Sequence, residues 1–296
     1  MTAMTHSAPT AGAAADAGRP SGRPRLRRPR IARAASIVIL LAALVLLLAG
    51  RWLTPYDPDA QDLTTVFAGP SWEHWLGTDD LGRDVLSRMI AGGQATIAAS
   101  LFAVVVALGL GLPVGIAAGY LGGWVDTCLM RVVDALLAFP AIVLAIGVTA
   151  SMGIGLFNAM LAVGVVLSPA IARLARAQTL SVKTMTYVEA ARSFGARGLR
   201  GIILPHIVPN MIQPVIVQTS IVFGLAMLAE ASLSFLQLGV QAPGSSWGAV
   251  LSRAYSFMSQ APLAILVPGI AIALMVFAAN IMADEFQEWL DPKRRK

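Results

Sequence analysis

The stretch ATIAASLFAVVVALGLGLPVGIAAGY, residues 95–120, holds no charged side chain. It exceeds the roughly 20 apolar residues a helix needs to cross a bilayer core. Gly111, Gly115 and Gly119 recur at every fourth position, on one helix face, where small residues let a second helix approach closely. Pro113 lies between them and removes one backbone donor, so the helix is expected to kink or loosen there. Ordinary helix packing is the simpler reading of this pattern, and a moving hinge the sharper one.

Outward from this stretch, further apolar runs lie at residues 34–50, 132–150, 158–174, 211–229 and 263–283. Each is near the spanning length, which makes six expected transmembrane helices. Composition agrees. Of 296 residues, 56% are hydrophobic and 13% charged, and mean hydropathy is +0.71. Soluble domains carry roughly a quarter charged residues, so the class is an all-α polytopic membrane protein. The first run is bounded by Arg33 and Arg51 and lacks small cleavage-site residues, so it reads as an uncleaved anchor rather than a signal peptide.

Basic residues set the orientation. Outside the spans, one set of segments (1–33, 121–131, 172–210, 284–296) carries nearly all Lys and Arg, and the other set holds only Arg51, Arg83, Arg88 and Arg253. The positive-inside rule therefore predicts both termini in the cytoplasm. The acidic residues Asp57, Asp59, Asp62, Glu73, Asp79, Asp80 and Asp84 fall in the first outer loop. The chain divides into an arginine-rich cytoplasmic tail expected to be disordered (1–33), a first span (34–50), an extracytoplasmic loop (51–94), a five-helix core (95–284) and a short cytoplasmic tail (285–296). Arginine beside an apolar helix signifies topology and contact with the lipid bilayer; a nucleic-acid-binding arm is set aside.

Cys128 is the single cysteine, and His6, His74 and His206 lie far apart, so neither a disulfide nor a metal site is expected. The acids of the outer loop lack EF-hand spacing. Glu230, near the outer end of the fifth span, is a candidate for the solute path, or a carboxylate reaching water at the interface. Asn280 and Asp284 read as packing or interface residues.

The inner segment 172–210 is long for a turn between helices. Residues 186–195 read TYVEAARSFG. Thr186 and Glu189 have capping-box spacing, predicting a short helix over 187–194, and Gly195 stands where helices end in the left-handed conformation. A second short apolar helix then leads to Pro209. The product is a helix–turn–helix knob on the inner membrane face.

This knob resembles the EAA loop of ABC importer permeases, matched at Glu189, Ala190, Ala191 and Gly195; from Gly195 to Pro209 it is one residue longer than the family pattern. Residues 74–88, HWLGTDDLGRDVLSR, are similar to the outer-loop signature of the dipeptide/oligopeptide/nickel permease family, C-type subunit, matched at Leu76, Gly77, Thr78, Asp79, Gly82, Arg83 and Asp84. Residues 119–126, Met130-Arg131, Asp134, Ala138-Phe139-Pro140, residues 229–236, Ser246-Trp247-Gly248 and Asp291-Pro292 extend the resemblance over about residues 34–292. It implies a type I ABC importer transmembrane domain (MetI-like) working by alternating access. The implied partners are a second homologous permease, two ABC ATPase subunits docked on the EAA loop, and an extracytoplasmic solute-binding protein. Dipeptides, longer oligopeptides, nickel chelates and glutathione all fit that family as solutes.

The chain has no G-x-x-x-x-G-K-[ST] phosphate loop, so ATP and Mg are expected on partner subunits and no cofactor on this chain. Catalytic residues are expected to be none: H-E-x-x-H, G-x-S-x-G and paired intramembrane aspartates are missing. A secondary transporter would predict internal repeats and broken midplane helices, and would have no use for an EAA loop.

Overall fold

The computed structural model describes residues 30–260 and 262–290, and these are helical without a β-strand. The arginine-rich tail before Arg30 and the basic tail after Leu290 lie outside the described residues.

Helix α1 (Arg30–Ala49) leads through a loop to α2 (Val85–Leu121). Helices α3 (Gly123–Leu137) and α4 (Ala141–Met152) follow, then α5 (Leu156–Val182) and the short α6 (Thr186–Ser193). A π-helical segment, Leu199–Ile207, runs into α7 (Val208–Phe235); α8 (Trp247–Ser256) and α9 (Pro262–Leu290) complete the chain. The carbonyls and amides of each helix satisfy one another internally, as a lipid environment requires. Apolar side chains such as Val38, Leu41 and Leu48 face outward on α1.

The α2–α5 pair is the spine, and the glycine row makes it. A β-carbon at Gly115 would lie 2.2 Å from the Ala172 carbonyl oxygen; at Gly111 it would lie 2.6 Å from that of Ser168. Gly164 on α5 returns the favour, with Val106 2.6 Å from its missing β-carbon. Close packing is therefore what the row achieves. Helix α2 runs unbroken across Pro113.

Among the described residues, five helices are long and apolar enough to span a membrane: Ile31–Trp52, Val85–Leu121, Leu156–Val182, Leu199–Phe235 and Ala264–Trp289. The third expected span is not one straight helix. It divides into α3 and α4, bent by 94° at Ala138–Pro140. Pro140 has no amide hydrogen and fixes its own φ, and the residue before it avoids helical dihedrals, so the first helix stops there. Counting the bent pair as one span restores six.

The bundle has two ends. Loop 53–84, the start of α2, the end of α7 and α8 share one; α6 and the ends of α2 and α5 share the other. At the α6 end, Arg176 grips Asp126 of α3 through two bonds of 2.5 and 2.6 Å, and Arg173 meets Asp134 at 2.6 Å. These pairs fix α3 across the mouth of the spine.

Candidate functional site

At the α6 end, Lys183 Nζ reaches the Gly119 carbonyl at 2.7 Å, and the Gly198 amide donates to the Tyr120 hydroxyl at 2.8 Å. These two bonds seat the knob on the end of α2. The underside of the knob is apolar: Val188, Ile202 and Ile207 are buried against Ala175, Val182 and Met211.

Thr186 does not cap α6. Met185, in extended conformation, occupies the cap position, its carbonyl accepting from Val188 and Glu189. The tight turn closed by Met185 N–H to Val182 O starts the helix one residue early, so Thr186 is already helical and the capping box is not formed. The other end closes as the sequence suggests. Gly195 has φ +89°, its amide donates to Arg192 O, and the Ala196 amide reaches back to Ala191 O. That double bond pattern is the Schellman closure, completed by the apolar pair Ala191 and Ala196.

Glu189, Ala190 and Gly195 are each exposed on the knob. Sequence reasoning passed over their neighbour Phe194, which is 92% exposed, and Leu199, 60% exposed. An aromatic residue set among arginines beside a turn glycine was the available signal.

The bonds of the π segment span five residues, shown by Val208 N–H to Ile203 O. A turn of this width holds more residues than an α turn.

At the opposite end, the signature residues build a self-supporting loop. Thr78 pairs with Asp84 across a single antiparallel bridge. The Thr78 hydroxyl donates to the Thr65 carbonyl and accepts from the Ala68 amide. Gly77 and Gly82 have φ of +77° and +70°. A β-carbon on Gly82 would lie 1.7 Å from the Asp62 carbonyl oxygen, so the position admits only glycine. Asp79 accepts from the Leu81 and Arg83 amides and pairs with the Arg83 guanidinium at 2.6–2.8 Å. Asp84 caps α2 through Ser87 and holds His74 at 3.0 Å. Leu76 packs into the main core.

A bond that sequence spacing could not reveal ties this loop to α8. Arg253 binds Asp80 bidentately at 2.6 and 2.8 Å across 173 positions. Burial pushes the Asp80 carboxyl up, but the hydrogen bonds and charge of Arg253, with the charge of Arg83, hold it below the usual carboxylate range. Asp62 is likewise lowered, by hydrogen bonds from the Thr64 hydroxyl and amide.

Glu230 does not reach water. It is 1% exposed, accepting from Ser234 at 2.8 Å and Thr96 at 3.3 Å. Thr96 also takes the Trp247 amide, and Ser246 reaches Ser234. The carboxyl group is thus the centre of a polar knot joining α2, α7 and the start of α8. In α9, Asn280 bonds Val276 and Ser220, a packing role.

Comparison with known proteins follows the same lines. Residues 111–296 match the family described as "Binding-protein-dependent transport system inner membrane component". The chain is 43% identical over 270 residues to the glutathione transport system permease protein GsiD of Pectobacterium atrosepticum, covering 91% of this chain and 89% of that one. It is 42% identical to GsiD of Escherichia coli O157:H7, covering 91% and 88%. Among solved structures, an inward-facing form of the MetNI methionine ABC transporter aligns with a TM-score of 0.59 at 18% identity, covering 70% of this chain and 96% of that one. That likeness concerns the fold, which is all-helical and MetI-like.

Proposed function

The chain belongs to the binding-protein-dependent transport system inner membrane components, and from that premise we propose that it is one half of the pore of an importer for glutathione or a similarly small peptide. It is a permease of the ABC importer class. Its finer arrangement we read as a heterodimer with a second homologous permease, two ATPase subunits at the α6 end and a solute-binding protein at the loop end. The α6 end is then cytoplasmic, as are both termini, and ATP with Mg resides on the ATPases. The glutathione assignment rests on the name of relatives that match most of the chain.

One observation carries the docking reading: the α6 knob is apolar beneath and presents Glu189, Ala190, Phe194 and Gly195 outward. A rigid base under an exposed aromatic anchor suits a groove on a soluble partner. Closure of the ATPases moves the knob. Because Leu199–Phe235 is one continuous helical span, the displacement reaches Glu230 and Ser234 at the far end. The polar knot there becomes the element that rearranges when the pore opens.

The test is reconstitution of the complex with its binding protein and measurement of ATP-dependent uptake of labelled glutathione and of a dipeptide. Uptake of glutathione lost in Glu189→Lys, with the complex still assembled in the membrane, is the expected result. Undiminished uptake in that variant overturns the docking reading, and transport without any ATPase overturns the class of mechanism.

A further inference from the structure

A cavity of about 280 Å³ lies at the loop end, between the signature loop, the segment after α7 and α8. Its lining is polar and includes Arg83, Arg88 and Arg253 with Gln237, Gln241 and Ser252. Three guanidinium groups around one space call for an accounting of their anions.

Arg83 is matched by Asp79 at 2.6 Å and Arg253 by Asp80 at 2.6 Å. Arg88 is not matched in this way. Its side chain is only 6% exposed, its Nη1 donates to the Pro58 carbonyl at 3.0 Å, and the nearest carboxylates, Asp59 and Asp79, stand at 3.5 and 3.7 Å. Asp79 is already engaged by Arg83. A guanidinium has five N–H donors; Arg88 shares two carboxylates at ion-pair distance but commits only one donor to a hydrogen bond, to Pro58, so donors are left for a further planar acceptor. The bordering Gln237 holds a left-handed backbone, φ +61°, which a non-glycine residue adopts only where its surroundings enforce it.

We propose that this cavity is a receiving site for a carboxylate of the transported solute, with Arg88 as the cation that binds it. A planar carboxylate suits the guanidinium fork. Such a site takes the carboxyl end of a small peptide as it leaves the binding protein, and it favours acidic over neutral solutes. The proposal rests on the import function above.

The experiment uses the whole complex, with Cys128→Ser and Ser252→Cys in this chain, so that residue 252 reports on the cavity. The rate at which a maleimide labels residue 252 is followed by mass spectrometry, with S-methylglutathione or its diethyl ester added at millimolar concentration. By mass action the acid is expected to slow labelling about threefold or more, and the ester to leave it unchanged. Arg88→Gln removes the difference, and Arg51→Gln, away from the cavity, keeps it. Equal slowing by acid and ester, or none by either, overturns the proposal without any Arg88 variant having to fold. Uptake by the same preparation separates the two readings: uptake without protection by the acid sinks the receiving site alone, and failure to take up any peptide sinks the import function.

Discussion

The two ends of the bundle are built on opposite plans. The signature loop spends its polar groups on itself: Asp79, Asp84, Thr78 and Arg83 are bonded within the loop, and Asp80 is clamped to α8. The α6 knob anchors an apolar underside and leaves its upper side bare, with Phe194 and Leu199 open to their surroundings. One end holds a shape unaided. The other holds a base and leaves its upper side without such bonds; exposed aromatic side chains do not set the two ends apart, since Trp72 and Trp75 stand exposed in the loop as Phe194 does on the knob.

The pair of left-handed glycines breaks this comparison hardest. Gly82→Ala forces a β-carbon into the Asp62 carbonyl, and is expected to cost about 3 kcal/mol or more, read as a large loss of thermal stability. Gly195→Ala meets nothing within 4 Å, so only backbone strain remains, about 1 kcal/mol. Equal losses at both positions would mean that the two turns are not differently built.

Phe194→Ser sharpens it from the other side. Stability should be unchanged, whereas co-purification of the ATPase should weaken about tenfold, the scale of an anchor residue. A loss of stability instead would place Phe194 in the fold rather than in an interface.

The Asp80–Arg253 clip is a smaller effect, about 0.5–1 kcal/mol, since Arg253 is partly exposed. The folded pKa of Asp80 lies below its unfolded value. Its contribution is therefore complete above about pH 4 and disappears as pH falls through the folded value. Acid unfolding of Asp80→Asn should show a shallower dependence on pH in that window. A contrast of caps closes the series: Asp84→Ala should cost about 1–2 kcal/mol, and Thr186→Ala, the smallest effect of all, almost nothing, because Thr186 caps no amide.

Much of this could be read from the chain, and the failures have physical reasons. Apolar runs fix which segments enter lipid, since hydropathy is local. Glycines at every fourth position announce a close helix contact, and the α2–α5 spine is that contact. Hydropathy is blind to direction, which is why residues 132–150 read as one span although Pro140 turns the chain by 94° within it. The capping box failed because cap position depends on the preceding turn, here Met185 N–H to Val182 O, which the four-residue pattern does not contain. Glu230 was legible as a carboxylate at membrane depth, but its enclosure by Thr96, Ser234 and Ser246 depends on helices that meet only in three dimensions. Arg253 carried no local signal at all; its partner is 173 positions away.

The wide turn at Leu199–Ile207 has a genealogical reading. An extra residue inserted into an α helix would rotate everything beyond it by about 100°, given 3.6 residues per turn, and would swing the faces of α7 away from α2 and α9. Winding an extra residue into one broad turn would confine the disturbance, and the membrane-crossing part of α7 would keep its direction. A lineage can gain or shed such a residue in a single event without renegotiating its core, and chains of unequal length in this region can therefore share one way of packing.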